Sequence, residues 1–358
     1  MSLLMRIAYN IFPILAVYFA LISLIAIIVT IHDKRAAIRH KRRISEKALF
    51  ILALVGGAAG MFVTMLLIRH KTKHKRFMLG LPIIIIVQLF MLIVPFDMSI
   101  QTTFHTIKSD KIENPVRLLL VSDNHSCDYG KEQSDLVAAI DKQKPDVILL
   151  VGDIFDDKKH QANSTKLVEI LSSKYPCYYV SGNHEFWSRR ADDFKDILIE
   201  NKVTVLEGTT DTIQINGETI AISGVDDPDT DRYPSRAVPY KTQMEQLRGS
   251  IDDSVFNILL SHRPERIEEL LPLKTDLVLS GHAHGGQWRL PFVLENGLLA
   301  PDQGFFPKYG NGIRDFGDTK FIISRGLYRD AKFIPRIFNR PELVVIDVGR
   351  ADGLRVLS

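Results

Sequence analysis

Hydrophobic residues are arranged differently in the first 96 residues and in the rest of the chain. Three almost uninterrupted apolar stretches occupy the first part: Ile7–Ile31, Ala48–Ile68 and Met78–Phe96. Each approaches or exceeds the ~20 residues that an α-helix needs to cross a bilayer. A cleaved signal peptide does not fit, because the first stretch is long and further apolar segments follow it. The pattern predicts an α-helical membrane region over residues 1–96, with up to three transmembrane helices.

Two strongly basic segments separate these stretches: residues 33–47 hold seven Lys/Arg and residues 69–76 hold five. Positive-inside reasoning places both in the cytoplasm, yet one full crossing between them forbids that. The glycine-rich residues 55–60 form either a re-entrant turn or a close helix-packing face. A re-entrant turn carries the rest of the chain outside, whereas a full crossing keeps it inside. The lack of Lys or Arg between Asp97 and Lys108 favours an extracytoplasmic C-terminal part.

From about Val116 the pattern changes to short apolar runs separated by helix-like segments. The runs predict strands at residues 117–122, 146–152, 177–181, 203–206, 256–261 and 276–280, a helix at 132–143 and a hairpin around Asn216-Gly217. Alternation of strands and helices predicts an α/β fold with a mainly parallel core covered by helices. We expect residues 97–115 to be a linker and residues 116–358 to form one domain.

Charge and cysteine content argue against several classes of protein. The formal net charge is only +3, so no whole-protein field favours a nucleic-acid partner, and none is expected. Cys127 and Cys177 are too few for a disulfide framework and lack the spacing of a metal knuckle, so we interpret them as buried thiols. No phosphate-binding glycine loop follows a strand. The apolar stretches contain no Asp or Glu that would line a transport path.

Polar side chains that can bind metal ions follow the ends of five predicted strands. They are Asp123 and His125, then Asp153 and Asp156, then Asn183, His184 and Glu185, then His262, and finally His282 and His284. Open α/β sheets bind ligands at the carboxyl ends of their strands, so we expect these groups to converge. Mixed carboxylate, amide and imidazole ligands without a thiolate suit Mn, Fe or Zn.

In this order the residues form the motifs D-x-H, G-D-x-x-D, G-N-H-E, a single His and G-H-x-H. The set resembles the calcineurin-like metallophosphoesterase pattern over approximately residues 116–348. The resemblance implies a central β-sandwich flanked by helices, with two divalent metal ions that activate a hydroxide to hydrolyse a phosphate ester. It further implies that one metal is bound by Asp123, His125 and His284, the other by Asn183, His262 and His282, and that Asp153 bridges the two.

The same resemblance implies two catalytic residues beside the metals. His184 directly follows a predicted ligand and is the candidate general acid for the leaving group. Asp156 lies three residues after Asp153, where the superfamily often places a carboxylate that orients this histidine. Such a partner would keep His184 protonated near neutral pH. The alternative role for Asp156 is to cap a turn.

Two further strings carry narrower resemblances. SGHAHGGQWRLP, followed by ISRGLYRDAKFIPRIFNRPELVVIDV, is similar to the membrane-associated branch of bacterial phosphoesterases that includes lipid-linked and UDP-sugar-lipid pyrophosphatases. Arg263, Arg325 and Arg340 lie in or beside these strings, where they either bind phosphate or are structural. Residues 33–88 resemble an uncharacterised family of short bacterial membrane domains, which implies no chemistry.

We therefore expect a multi-pass cell-membrane protein that hydrolyses a phosphomonoester, phosphodiester or pyrophosphate. Its expected partners are the bilayer and a phosphorylated small-molecule or lipid-linked substrate, because a tethered site meets lipid head groups at high effective concentration. The alternative is a membrane-bound scaffold or sensor that keeps the fold as a binding module. His184 beside a complete ligand set argues against that alternative. The oligomeric state, the metal identity and the natural substrate stay open.

Overall fold

The structure is a computed structural model that describes residues 3–330 and 334–350, with side chains described from residue 15. The chain divides into two compact units, residues 1–97 and 98–358. The helices are α1 (Leu3–Ile38), α2 (Glu46–Leu52), α3 (Ala58–Leu67), α4 (Lys75–Ile93), α5 (Ser134–Asp141), α6 (Ala162–Ser172), α7 (Asn183–Trp187), α8 (Ala191–Glu200), α9 (Tyr240–Leu247) and α10 (Ile267–Leu270). The strands are β1 (Gln101–Lys108), β2 (Val116–Val121), β3 (Val147–Val151), β4 (Cys177–Val180), β5 (Thr204–Val205), β6 (Thr209–Ile215), β7 (Glu218–Gly224), β8 (Phe256–Leu260), β9 (Leu277–Ser280), β10 (Leu299–Ala300), β11 (Gly304–Phe305), β12 (Gly312–Phe316), β13 (Thr319–Ile323) and β14 (Glu342–Gly349).

In the first unit, the middle apolar segment runs out and back. Helices α2 and α3 are joined through residues 53–57, where Gly56 has φ 128° and leaves the helical path. The backbone N–H of Ile44, before α2, donates to Asp33 Oδ1 over 2.9 Å. His70 Nε2, after α3, lies 2.8 Å from Asp33 Oδ2. Since both ends of the segment meet one carboxylate, α2 and α3 form a helical hairpin.

The hairpin packs along α1, and its glycines make this possible. A Cβ added at Gly60 would come within 2.8 Å of the carbonyl oxygen of Ser23. Near the tip, the hydroxyl of Tyr18 donates to the carbonyl oxygen of Val55 over 2.7 Å. Of the two expectations for the glycine-rich centre, a turn and a packing face, the structure contains both, at different glycines.

Helix α4 leads the chain away from the basic end of the first unit. It begins just after His70 and Lys71, both of which pair with Asp33. Farther along α4, the side-chain amide of Gln88 donates to the carbonyl oxygen of Ala53, close to the tip of the hairpin. The two basic segments thus share one end of this unit, and α4 ends beyond the tip of the hairpin.

The second unit contains two six-stranded sheets with parallel centres. Their strand orders are β1-β14-β2-β3-β4-β5 and β12-β13-β9-β8-β7-β6. Antiparallel pairs occur at β14-β2, β12-β13 and β6-β7, the last joined by the expected turn at Asn216-Gly217. Strands β10 and β11 form a separate two-stranded ribbon. The α/β class, with sheets flanked by helices after an apolar helical region, is confirmed.

Alternate residues of the central strands face two different layers. In β2, Leu118 and Leu120 pack between the sheets with Ile258 of β8. Their neighbours Leu119 and Val121 pack beneath α5 and α6 instead. Burying one such side chain contributes about 1.5–3 kcal/mol, and parallel strands covered on both faces read as continuous apolar runs. The strand ends therefore project from a firmly packed support.

The segment 97–115, expected to be a linker, contains strand β1. Its eight residues pair in parallel with β14, from Gln101 opposite Glu342 to Lys108 opposite Gly349. Most of its side chains are polar and partly exposed, as suits an edge strand with one neighbour. The expectation of a linker missed this strand because its partner lies far along the chain, and β1 belongs to the first sheet.

Candidate metal centre

The structure brings the metal-binding side chains predicted from sequence to one edge of the two sheets. They follow β2, β3, β4, β8 and β9, and all seven are buried: Asp123, His125, Asp153, Asn183, His262, His282 and His284. Ligand atoms of Asp123, His125, Asp153 and His284 lie within 4.8 Å of one another, as do those of Asp153, His262 and His282. Asp153 is common to both groups, which is the position required of a bridging carboxylate.

Short contacts between ligand atoms define the first group. His125 Nε2 lies 3.3 Å from His284 Nε2 and 3.6 Å from Asp153 Oδ2. His284 Nε2 lies 3.4 Å from Asp123 Oδ1. Two imidazole nitrogens and two carboxylates aimed at one point suit a divalent cation, because each has a lone pair to donate.

The second group contains His262, whose Nε2 lies 3.2 Å from Asp153 Oδ2. Within the described residues, His262 Nε2 and Asn183 Oδ1 are buried without a hydrogen-bond partner. A buried polar atom without a partner costs about 1–3 kcal/mol. A cation bound by both atoms would remove that penalty, so the side chains present fit a second metal.

Five of the seven predicted ligands have a left-handed backbone. The φ angles are 51° at Asp123, 47° at His125, 53° at Asp153, 62° at His282 and 48° at His284. Residues other than glycine rarely adopt positive φ, and such conformations collect at functional sites where the surroundings enforce them. Here each turn redirects the chain directly after a strand and aims the side chain inward.

Hydrogen bonds to the opposite ring nitrogens orient two of the histidines. His262 Nδ1 donates to the carbonyl oxygen of Val151 over 2.9 Å, which leaves Nε2 as the metal-facing atom. His282 Nε2 lies 2.9 Å from Asp302 Oδ2, which leaves Nδ1 as the ring nitrogen available to a metal. Partners of this kind fix the tautomer of a metal ligand.

The electrostatic field of the site is strongly negative. Burial alone would lower the pKa of His262, but the charges of Asp153 and Asp123 raise it to about 10. His284 responds in the opposite direction: burial lowers its pKa to about 4, against the attraction of Asp123. The carboxylates that draw a proton onto His262 also attract cations, which supports the site as a cation-binding one.

His184 borders this group, and its partner differs from the one expected. Its ring lies edge-on to His125, 4.4 Å between centroids, and its Nδ1 lies 2.7 Å from Asp157 Oδ1. Burial would lower the pKa of His184, but the charges of Asp153 and Asp157 and the hydrogen bond to Asp157 raise it. The expectation that Asp156 orients His184 is therefore wrong, and the adjacent carboxylate does so.

Asp156 has two other contacts. Its Oδ1 accepts the backbone N–H of Lys158 over 2.9 Å and of Lys159 over 2.8 Å, so it caps the turn after β3. Its Oδ2 lies 3.5 Å from Nδ1 of His125. Asp156 therefore has the turn-capping role through Oδ1, and through Oδ2 it supports the predicted ligand His125.

Glu185, which the sequence analysis placed among the polar groups at the strand ends but not among the seven ligands, is a supporting residue. Its carboxylate accepts backbone N–H groups from Asp153, Phe155 and Gly182, at 3.0, 2.9 and 2.8 Å. These bonds hold the loop after β3 against the loop after β4. The signal that could have identified it is its position three residues into α7, where a carboxylate caps the helix N-terminus.

The three arginines considered as phosphate ligands have partners within the second unit. Arg263 pairs with Asp227 over 2.7 Å and with Asp302 over 2.8 Å. Arg325 pairs with Glu342 over 2.8 Å, and Arg340 donates to Ser99. These contacts fit a structural role for all three arginines better than phosphate binding.

Family models match two parts of the chain. The model described as calcineurin-like phosphoesterase matches residues 116–286. A second model, described as protein of unknown function (DUF1294), matches residues 23–77.

Individual proteins show the same likeness. The chain is 28% identical over 260 residues to an uncharacterised metallophosphoesterase, YkuE, of Bacillus subtilis, covering 69% of this chain and 84% of that protein. It is 27% identical over 186 residues to a zebrafish (Danio rerio) transmembrane protein with metallophosphoesterase domain, covering 49% and 41%. A solved dimetal phosphatase from Danio rerio is 13% identical with a TM-score of 0.38, over 59% of this chain and 88% of that one.

Three helical segments, Leu15–Ile38, Glu46–Leu67 and Lys75–Phe96, are long and apolar enough to cross a membrane by length and composition. The chain is thus a membrane protein. Residues 116–286 match the calcineurin-like phosphoesterase family model, and the chain is a dinuclear metal-dependent hydrolase.

Proposed function

We propose that the buried site hydrolyses a phosphomonoester, phosphodiester or pyrophosphate and that its preferred substrate is lipid-linked. The observation that carries the chemistry is the shared position of Asp153 between the two groups of ligand atoms. One metal would be held by Asp123, His125 and His284, the other by Asn183, His262 and His282, with Asp153 between them. When bound, the metal pair supplies an activated water and neutralises charge on the phosphoryl oxygens.

The protein's own contribution to leaving-group departure comes from His184. Its side chain is partly exposed, unlike the buried ligands, so it is open to a substrate. Asp157 accepts from Nδ1, which leaves Nε2 as the atom that can donate a proton. In this role His184 protonates the oxygen of the departing group, and Asp157 keeps the ring oriented and charged.

Chain connectivity supports the lipid-linked substrate. The last apolar segment ends at Phe96, and β1 begins at Gln101. Four residues span at most about 14 Å. The second unit, residues 98–358, which we call the hydrolase unit, therefore stays beside the bilayer. Phosphate esters in lipid head groups are therefore at high local concentration, whereas soluble esters are not.

We further propose that the hydrolase unit lies on the extracytoplasmic side. The ends of the α2–α3 hairpin meet at Asp33. If the hairpin is re-entrant, residues 33–47 and 69–76 both lie in the cytoplasm, as the positive-inside rule requires. Only α1 and α4 then cross the membrane completely. Helix α4 carries the chain outward from the basic end, and the unit that follows is outside.

The test of the chemistry uses the purified full-length protein in lipid nanodiscs. The protein is stripped with a chelator and resupplied with Mn²⁺, Zn²⁺ or Fe²⁺, and hydrolysis of bis-p-nitrophenyl phosphate and of p-nitrophenyl phosphate is measured. We expect activity to return with metal, and Asp153→Asn to lower it at least about 100-fold, since even outer partners of metal ligands are worth 10–100-fold. The ratio of the two rates indicates the ester class.

Asp318→Asn is the matched control, because Asp318 is exposed and belongs to neither ligand group. It makes the same chemical change and should leave both rates unchanged. Bound metal is counted in parallel by elemental analysis. Wild-type turnover and two bound ions in Asp153→Asn would contradict the proposed bridge.

A further inference from the structure

Two loops of the hydrolase unit expose an unusual amount of apolar surface. The apolar loops are residues 288–294 and residues 304–306, the latter consisting of the two-residue strand β11 and the residue that follows it. Phe292 is 94% exposed, Val293 76%, and Phe305 and Phe306 69% each. Among the described residues of this unit, no other large apolar side chain is as exposed as these four. A concentration of this kind in a soluble unit marks an interaction surface.

Both apolar loops are anchored next to the metal centre. The carbonyl oxygen of Gly286, two residues after His284, accepts the backbone N–H of Trp288 and that of Leu298. The bond from Trp288 lies at the start of the loop 288–294. The bond from Leu298 positions β10, which leads to residues 304–306. A Cβ at Gly286 would come within 2.2 Å of the carbonyl oxygen of Asn296, so the close approach requires glycine. The apolar loops are thus fixed relative to the metal ligands.

The chain also enters the hydrolase unit at this edge. Strand β14 runs antiparallel to β2, and β1 runs parallel to β14. The first residue of β1, Gln101, therefore lies at the edge where β2 ends and Asp123 follows. That edge is the one at which the predicted metal ligands converge.

Side-chain contacts connect the start of β1 with the base of the apolar loops. The guanidinium of Arg325 donates to the side-chain oxygen of Gln101 over 3.0 Å. The same arginine packs so closely on Gly285 that a Cβ there would meet its Cγ at 2.9 Å. Asn339 closes the other side by donating to the carbonyl oxygens of His284 and Gln287. The segment that leaves the membrane and the apolar loops consequently lie at the same edge of the unit.

We infer that the apolar loops are a membrane-docking surface that inserts into the bilayer carrying the chain's own helices. The bilayer is favoured over a protein partner because only four residues connect Phe96 to β1, and the connection enters the unit at this edge. Phenylalanine, tryptophan and aliphatic side chains on loop tips are also the residues that enter the interfacial region of a bilayer. Docking would hold the metal centre at the level of the lipid head groups.

This inference rests on the proposed function only in assigning a lipid-borne ester to the docked site. Insertion itself is measured without turnover. If the protein hydrolysed no ester, the proposed function would fail and the docking surface would stand. If a tryptophan placed in the apolar loops showed no change in fluorescence at the bilayer, the docking surface would fail and the proposed function would stand.

Insertion is tested with single tryptophans in the full-length protein, reconstituted in phosphatidylcholine vesicles. The chain has two tryptophans, which are removed by Trp187→Phe and Trp288→Phe, and Phe292→Trp is added. Phosphatidylcholine brominated on its acyl chains quenches only indole rings that reach the bilayer. We expect the emission of the tryptophan at position 292 to be blue-shifted and at least halved by the brominated lipid.

Ile199→Trp in the same background is the matched control. Ile199 is 58% exposed and lies near the end of α8, which starts beyond the metal edge and runs back toward the opposite one. Its tryptophan should be neither shifted nor quenched. A tryptophan at position 292 that behaves like the control overturns the inference. A blue shift without quenching overturns it in favour of a protein partner, such as a second copy of this chain.

The effect of docking on hydrolysis is measured with a second variant, which combines Phe292→Ser, Phe305→Ser and Phe306→Ser. These side chains are exposed, so the substitutions spare the core. We expect hydrolysis of dioleoyl phosphatidic acid in the vesicles to fall roughly tenfold, as buried apolar area drives interfacial binding, while hydrolysis of p-nitrophenyl phosphate is retained. Equal loss on both substrates would overturn the docking role.

Discussion

At the scale of single residues, the pairing of His184 with Asp157 gives the proposed acid a measurable signature. The carboxylate of Asp157 raises the pKa of His184, so the protonated ring persists to higher pH than that of an ordinary histidine. Removing the charge with Asp157→Asn should lower this pKa. The alkaline limb of kcat/KM should then move to lower pH, measured on p-nitrophenyl phosphate with metal in excess.

Asp156→Asn is the matched control for that shift. Asp156 contacts His125 and the turn after β3, so its substitution should weaken metal binding. It should move the alkaline limb less than Asp157→Asn does, because Asp156 contributes less than Asp157 to the raised pKa of His184. If Asp156→Asn moved the limb and Asp157→Asn did not, the assignment from sequence would be right and the geometry misleading.

The sequence identified the right kind of group for His184 but not the right residue. Two adjacent carboxylates follow β3, and spacing alone cannot say which one the turn directs at the histidine. The choice depends on the backbone N–H groups of Lys158 and Lys159, which bind Asp156 and free Asp157 to pair with His184. Asp302 was missed for another reason: it lies in the short turn between β10 and β11, which follows no metal-binding motif, and it reaches His282 only in the folded chain.

At the scale of secondary-structure elements, glycines at strand ends leave room for the ligand carboxylates. A Cβ added at Gly281, just after β9, would lie 2.5 Å from Asp123 Oδ2. Gly281→Ala should therefore displace Asp123 and weaken metal binding by roughly 10–100-fold, the range seen when the support of a metal ligand is disturbed. Competition with a chelator of known affinity measures this.

Gly249→Ala is the matched control, because a Cβ at Gly249 meets nothing within 4 Å. Both variants add one methyl group, but only one adds it beside a predicted ligand. Wild-type metal affinity in Gly281→Ala would show that the site relaxes around the added atom.

The central elements were predictable because strand length and burial are encoded locally. The runs that became β2, β3, β8 and β9 are apolar on both faces, and each was placed to within about a residue of its bounds. The edge strand β1 was missed, since half of its pattern is polar and its pairing is not local. The apolar loops carry no periodic pattern, so only the folded chain shows how exposed they are.

At the scale of the whole molecule, a re-entrant α2–α3 hairpin makes a prediction about sidedness. Cys127 and Cys177 are buried, so single cysteines can be introduced on exposed positions and labelled in intact cells with a membrane-impermeant maleimide. We expect Asp318→Cys, in the hydrolase unit, to react. Lys41→Cys and Lys73→Cys, in the two basic segments, should react only after the cells are opened.

The two basic-segment variants control for each other, because a full crossing by residues 46–67 would put them on opposite sides. Labelling of one but not the other in intact cells would contradict the re-entrant hairpin. Labelling of both, with protection of Asp318→Cys, would keep the hairpin but reverse the orientation.

The parallel pairing of β1 with β14 also determines how the anchor transmits mechanical force. The chain enters β1 at Gln101, so a force applied to the anchor along the strand axis loads β1 from that end. All eight residue pairs of the register then bear the load together in shear, instead of opening one after another like a zipper. Such a force should therefore reach the whole first sheet before it can detach β1.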